Sequence, residues 1–162
     1  MKLLGTFTTS VEKAFDEIDS DWRQYPGLVI CGSHSPQQLD IENLLGEIEE
    51  ARLTGLPFLG ICMGHQLAAI EYARNVLGIE DATSEEFGVE GTFVVSQRER
   101  LKVGLGEDGE SYWNNYEVSP NLLEEWDKPL CFITSQFHPE YQSSKDKPHP
   151  LLVKFLTICK KQ

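Results

Sequence analysis

Cys62 stands between two glycines in Gly60-Ile-Cys-Met-Gly64, at the end of an apolar run that begins at Pro57. Glycine-x-nucleophile-x-glycine between a strand and a helix is the form of a nucleophile elbow, in which a tight turn lifts the reactive side chain into a cleft. A helix starting near Gly64 would favour a thiolate through its unsatisfied N–H groups and positive dipole end. The Met63 N–H would point at an oxyanion formed during attack. A thiol nucleophile also needs a base, and the base needs an orienting partner. Gln136-Phe-His-Pro-Glu140 supplies both, since His138 and Glu140 share one face of an extended segment with Pro139 stiffening the backbone between them. His138 would take the thiol proton and later give it to a leaving amine, and Glu140 would hold the imidazole. His34 and His65 read as cleft-lining or helix-capping polar groups, and His149, between prolines, as a surface residue.

The elements around these residues set where they can meet. Strands are predicted at 2–7, 27–31, 57–61 and 130–135, with helices at 11–18, 64–77 and from about 150. A further helix begins with Ser35 as N-cap, Pro36 at its first position and Gln38 closing a capping box, its stripe being Leu39, Leu44, Leu45, Ile48 and Ala51. The last helix turns Leu152, Phe155, Leu156 and Cys159 inward. Segments 92–97 and 110–118 read as strands around a glycine-containing turn at 104–109, and 120–126 as a short helix. Alternating strands and helices predict an α/β fold with a mostly parallel sheet covered on both faces, in a single domain over residues 1–162. Ligands in such folds lie beyond the carboxyl ends of the strands, where Gly32-Ser33, Cys62 and Gln136 onward all fall.

Composition narrows the ligand class. A formal charge of −12 with no basic cluster argues against nucleic acid and anionic membranes as partners. No segment is long and apolar enough to span a bilayer, and the N-terminus does not read as a signal peptide. The four cysteines, at 31, 62, 131 and 159, form no CxxC pair, so reduced thiols in a cytoplasmic protein are expected, with no metal site and no cofactor.

Gly60-Ile-Cys-Met-Gly-His-Gln66 followed by Gln136-Phe-His-Pro-Glu140 resembles the class I, triad-type glutamine amidotransferases, and most of all the glutaminase domains of CTP synthases. Gly55-Leu-Pro-Phe-Leu-Gly60, Ala82-Thr-Ser-Glu-Glu-Phe87, Tyr116-Glu-Val118 and Pro148-His-Pro-Leu151 have counterparts there, so the likeness runs from Gly27 onward. It implies a flavodoxin-like fold, with Cys62 as nucleophile, His138 as base and Glu140 as orienter. It further implies Ser33 and Met63 as backbone oxyanion donors, and Gly32, Gln66, Glu86 and Asn115 as substrate-binding, Glu86 through its charge on an α-amino group. The implied reaction converts glutamine to glutamate and ammonia through a thioester. With no ATP-binding loop in the chain, the ammonia would go to a separate synthetase.

Three departures from the family pattern shape the expectations. Asn115 stands where an arginine would pair with the substrate's α-carboxylate, a loss of about 1.5–3 kcal/mol for a charge-assisted contact. Cys31-Gly-Ser-His-Ser35 replaces a glycine-rich oxyanion loop, so a positive φ at Ser33 would be strained. The stretch before Gly27 has room for one helix only, which predicts a reduced N-terminal sheet edge. Two alternatives stand beside the glutaminase: an amidase or γ-glutamyl hydrolase acting on another carboxamide, and a non-catalytic regulatory module of the same fold.

Overall fold

Leu28-Val-Ile30 and Phe58-Leu-Gly-Ile61 are buried at every position, so strands made of them must be covered on both faces. The computed structural model, which describes residues 1–162, solves this with a four-stranded parallel sheet. Its strands are β1 (Lys2–Leu4), β2 (Leu28–Ile30), β3 (Phe58–Ile61) and β7 (Phe132–Ser135), paired in the order β1-β2-β3-β7. Helices α1 (Thr8–Ile18) and α5 (Pro150–Cys159) cover one face, and α2 (Ile41–Thr54) and α3 (Met63–Asn75) the other.

Strand alternation divides the core accordingly. Val29, Leu59, Ile61 and Ile133 meet Val11 and Phe15 of α1 and Leu152, Phe155 and Leu156 of α5. Leu28, Ile30, Phe58 and Phe132 meet Leu44, Leu45 and Ile48 of α2 and Leu67, Ile70 and Ala73 of α3. Between α2 and α3, Arg52 grips the buried Glu71 at 2.7 and 2.9 Å through two nitrogens, a geometry that fixes how the helices slide on each other. The inward residues of α5 are the four its spacing predicts, and only α1 and a short 3-10 turn at Trp22–Gln24 separate β1 from β2, as the compressed N-terminus implies.

The rest of the chain forms a second, three-stranded sheet in the order β4-β5-β6: β4 (Ala82–Ser84), β5 (Thr92–Leu105) and β6 (Ser111–Val118). The short helix α4 (Pro120–Glu125) leads from β6 back to β7. Here several expectations are corrected. β5 runs on through residues 98–105 because β6 pairs with it on both sides of an irregularity between Gln97 and Lys102. β7 starts at Phe132 rather than 130, since the Phe132 N–H closes a turn onto the Pro129 carbonyl and leaves Leu130 almost wholly exposed.

Ser35 does not cap α2. It precedes only a 3-10 turn at Pro36–Gln38, and the cap of α2 is Asp40, whose carboxylate accepts the Asn43 N–H at 3.1 Å. A carboxylate at the positive helix end is the better cap, and the turn before it frees residues 32–38 to form a wall of the site.

Candidate functional site

β3 and β7 are neighbours, with Ile61 opposite Ser135, so the chain leaving β3 runs beside the chain leaving β7. The Cys62 N–H donates to the Ser135 carbonyl at 2.8 Å. Directly after that bond the backbone turns through φ 52°, ψ −102° at Cys62, the one non-glycine residue with positive φ. Such a conformation costs on the order of 1–3 kcal/mol and persists because its surroundings enforce it. The enforcement is visible in the flanking glycines: a β-carbon on Gly60 would lie 2.6 Å from the Gly64 carbonyl oxygen, and one on Gly64 would collide with the Ile30 carbonyl oxygen. Helix α3 therefore sits against β2 and β3 at glycine distance, with Cys62 at its N-terminus.

Met63 is the first residue of α3, so its N–H has no acceptor inside the helix. The Ser33 N–H is likewise unspent on any backbone partner. Ser33 adopts no positive φ, so the strain expected of this loop is absent. Its hydroxyl lies 2.7 Å from that of Thr6 and accepts the Ser35 N–H at 3.1 Å, which pins the loop.

His138 Nδ1 and Glu140 Oε1 are 2.8 Å apart, both side chains buried, and the ring's other neighbour is the Cys62 thiol. Burial alone would weaken the base, but the bond to Cys62 and the bond and charge of Glu140 outweigh it, and the imidazole is pushed up to about 9. The second oxygen of Glu140 is sealed from solvent with no partner, so its charge is matched by the imidazolium alone. Tyr141 stacks on the imidazole at 4.8 Å, and Gly32 leaves the space that the ring and Phe7 fill. Gly32 thus packs against His138 and does not line the cavity in front of Cys62.

That cavity holds about 490 Å³ and opens to solvent. Ser33, Met63, Gln66, Glu86 and Asn115 line it with Cys62, so these sequence-selected residues converge. Gln66 donates to the Tyr116 carbonyl at 3.0 Å and reaches Gln136 Oε1 at 3.4 Å, and Gln136 in turn donates to Cys62 Sγ at 3.7 Å. Glu86 sits on a 3-10 turn at Glu85–Phe87, and burial raises its carboxyl above the usual range. Trp113, Asn114, Tyr116 and Leu101 also form walls, and sequence reasoning missed them. Strand alternation at 111–118 could have identified Asn114 and Tyr116, but not Leu101, which an irregular pairing brings round. His34 lines the cleft as expected, its ring set edge-on to Phe7 at 4.4 Å and to Trp113 at 5.0 Å.

The remaining candidates fall elsewhere. His149 is no idle surface residue: it caps α5 by accepting the Leu151 N–H at 3.2 Å and lies 3.1 Å from Glu110. Burial raises the Cys31 thiol far above its usual range and the Cys159 thiol to about 12, so both stay protonated and inert. No cluster of His, Cys, Asp and Glu able to hold a metal ion is present. No helix is long and apolar enough to cross a membrane.

His65 is buried against Trp126 at 5.5 Å with an unpartnered Nδ1, and burial lowers it to about 4. The unfolded chain takes up this proton near pH 6.5 while the folded one refuses it until about 4, so stability is lost as pH falls between those values. The loss should reach on the order of 3 kcal/mol by pH 4. Urea titrations of the wild type and His65→Leu across that range should show a shallower acid decline in the variant; parallel declines would mean that other groups cause it.

Comparison with known proteins places this geometry among relatives. The family model described as glutamine amidotransferase class-I matches residues 5–158. The CTP synthase of Methanoculleus marisnigri is 34% identical over an alignment that covers 87% of this chain and 35% of that protein. CTP synthase 2 of Mus musculus is 32% identical over 71% of this chain and 29% of its own length. The chain thus spans about a third of the length of the curated relatives it matches. Among solved structures, the glutaminase domain of Trypanosoma brucei CTPS with bound acivicin superposes with a TM-score of 0.76 at 20% identity, over 99% of this chain and 93% of that one. A GMP synthase protein of Thermoplasma acidophilum gives 0.60 at 17% identity, over 99% and 94%, so this chain shares its fold with both structures.

Proposed function

Because the chain belongs to the class-I glutamine amidotransferase family, we propose that it hydrolyses a side-chain carboxamide, glutamine in the first instance, and delivers the ammonia to a synthetase site outside these residues. The observation that carries this is the strained Cys62 elbow facing a buried imidazole whose far nitrogen lies 2.8 Å from Glu140.

The chemistry follows from those three side chains. The Cys62 thiolate attacks the carboxamide carbon; a C–S bond forms and the carbonyl electron pair moves to oxygen, where the Met63 and Ser33 N–H groups stabilise it. The tetrahedral species collapses with cleavage of the C–N bond, and the His138 imidazolium gives its proton to the nitrogen, which leaves as ammonia. Neutral His138 then deprotonates a water, which attacks the thioester; the C–S bond breaks, the acid departs and the thiolate–imidazolium pair is restored. Glu140 keeps Nδ1 protonated and the ring aimed throughout. A thiolate enzyme suits a reducing cytoplasm.

Incubation with diazo-oxo-norleucine, a glutamine analogue with an electrophilic carbon, should add one label, at Cys62, by peptide mass spectrometry. An unlabelled Cys62 with glutamine left intact would support the non-catalytic module instead. The imidazole makes a second prediction. Raised from 6.5 to about 9, His138 keeps its proton through neutral pH and loses it above, so kcat should fall on an alkaline limb near pH 9. Glu140→Gln removes a charge that favours the imidazolium and should move that limb to lower pH; an unmoved limb would assign it to another group.

A further inference from the structure

The cavity in front of Cys62 carries a carboxylate and no permanent cation. No lysine or arginine is among its walls. Glu86 is half-buried there and forms no ion pair, so burial raises its carboxyl unopposed. Asn114 is buried, and while its Nδ2 donates to the Tyr116 carbonyl at 2.9 Å, its Oδ1 is sealed with no partner. A buried acceptor left empty costs about 1–3 kcal/mol, so this one is complete only with a ligand donor.

The cations nearby are committed elsewhere. Arg98 is paired with Glu117, and the Lys102 ammonium lies over the Tyr112 ring at 3.2 Å. Arg100 is exposed, beside Leu101 on the outer face of the hairpin.

We propose, resting on the hydrolase reading above, that this pocket selects a primary carboxamide whose remote end bears an ammonium but no free carboxylate, as in glutamine joined through its α-carboxyl in an amide. The ammonium pairs with Glu86, and the neutral amide N–H donates toward Asn114 Oδ1. A free α-carboxylate meets the charge of Glu86 with no cation to answer it. The bond-making steps are those already given: the side-chain amide loses ammonia, water restores Cys62, and the product is a side-chain acid with its α-amide intact.

The test compares kcat/KM for ammonia release from glutamine and from glutamine α-methylamide, whose only primary amide is the side-chain one. Charge-assisted contacts of this kind set a scale of about tenfold to a hundredfold. The methylamide should be preferred by about tenfold or more in the wild type, and Asn115→Arg should shift the ratio back toward glutamine. Glu86→Gln should narrow the ratio by slowing the methylamide. Equal or better use of glutamine by the wild type would overturn the proposal while leaving the hydrolase reading standing. If that use of glutamine vanished in Arg100→Ala, Arg100 would be the carboxylate's partner and the proposal would fall for that reason. Turnover of neither compound, with Cys62 unlabelled by diazo-oxo-norleucine, would overturn the hydrolase reading and the proposal together.

Discussion

Cys62→Ala is expected to lower ammonia release by about 10⁴-fold or more, the largest functional effect of any single change. The oxyanion donors at Met63 and Ser33 survive the substitution, and so do the His138 and Glu140 side chains, but no atom remains to form the thioester. What is left is the residual rate that binding and charge stabilisation give an attacking water. The comparison is informative because the other buried thiols cannot take over: Cys159 is held protonated, its thiol pushed up to about 12. Cys159→Ala should therefore retain activity. Steady-state ammonia and glutamate formation in the three proteins, each checked for folding by circular dichroism, decides the matter. Equal rates in wild type and Cys62→Ala would place the chemistry elsewhere in the chain.

Gly64→Ala is expected to have the largest effect on stability. On helix propensity alone, alanine in place of glycine would gain about 1 kcal/mol. At this position its β-carbon would run into the Ile30 carbonyl oxygen, a backbone atom of β2 that cannot swing aside. Relief requires α3 to lift off the sheet, and overpacking of that kind costs about 3 kcal/mol or more. The net sign is destabilising. Gly46→Ala is the control, since Gly46 lies on an exposed position of α2 with nothing within 4 Å of an added β-carbon, and there the propensity gain should appear undiluted. Urea midpoints at constant m-value should move in opposite directions for the two variants. Should Gly64→Ala unfold at the wild-type midpoint, the glycine would be a local requirement of the elbow and not a packing requirement of the fold.

These two expectations rest on one motif, and it shows how far reading residues in order can reach. The inward residues Val11, Ala14 and Phe15 of α1, Leu44, Leu45 and Ile48 of α2, and Leu152, Phe155 and Leu156 of α5 follow from periodicity, because a helix face repeats locally. Ser35 misled because a capping box and a 3-10 turn share their first residues; only the position of Asp40 at the start of the buried stripe separates them. The second sheet was legible only as two strands and a turn. Its extent depends on how Arg98 to Leu101 loop out of the pairing between β5 and β6, which no local pattern encodes.

The sequence by itself determined the α/β alternation, the glycine-flanked cysteine and the pairing of His138 with Glu140, since each depends on residues near in the chain or on the strand-end rule for parallel sheets. Tertiary structure alone decided what surrounds them. It set the strained φ of Cys62, relaxed Ser33 and turned Gly32 toward His138. It also left Asn114 with an unfilled acceptor and Glu86 without a cation. The physical reason is that a nucleophile's backbone turn is encoded by its neighbours, whereas the charge balance of a pocket is a sum over walls contributed by segments far apart in the chain.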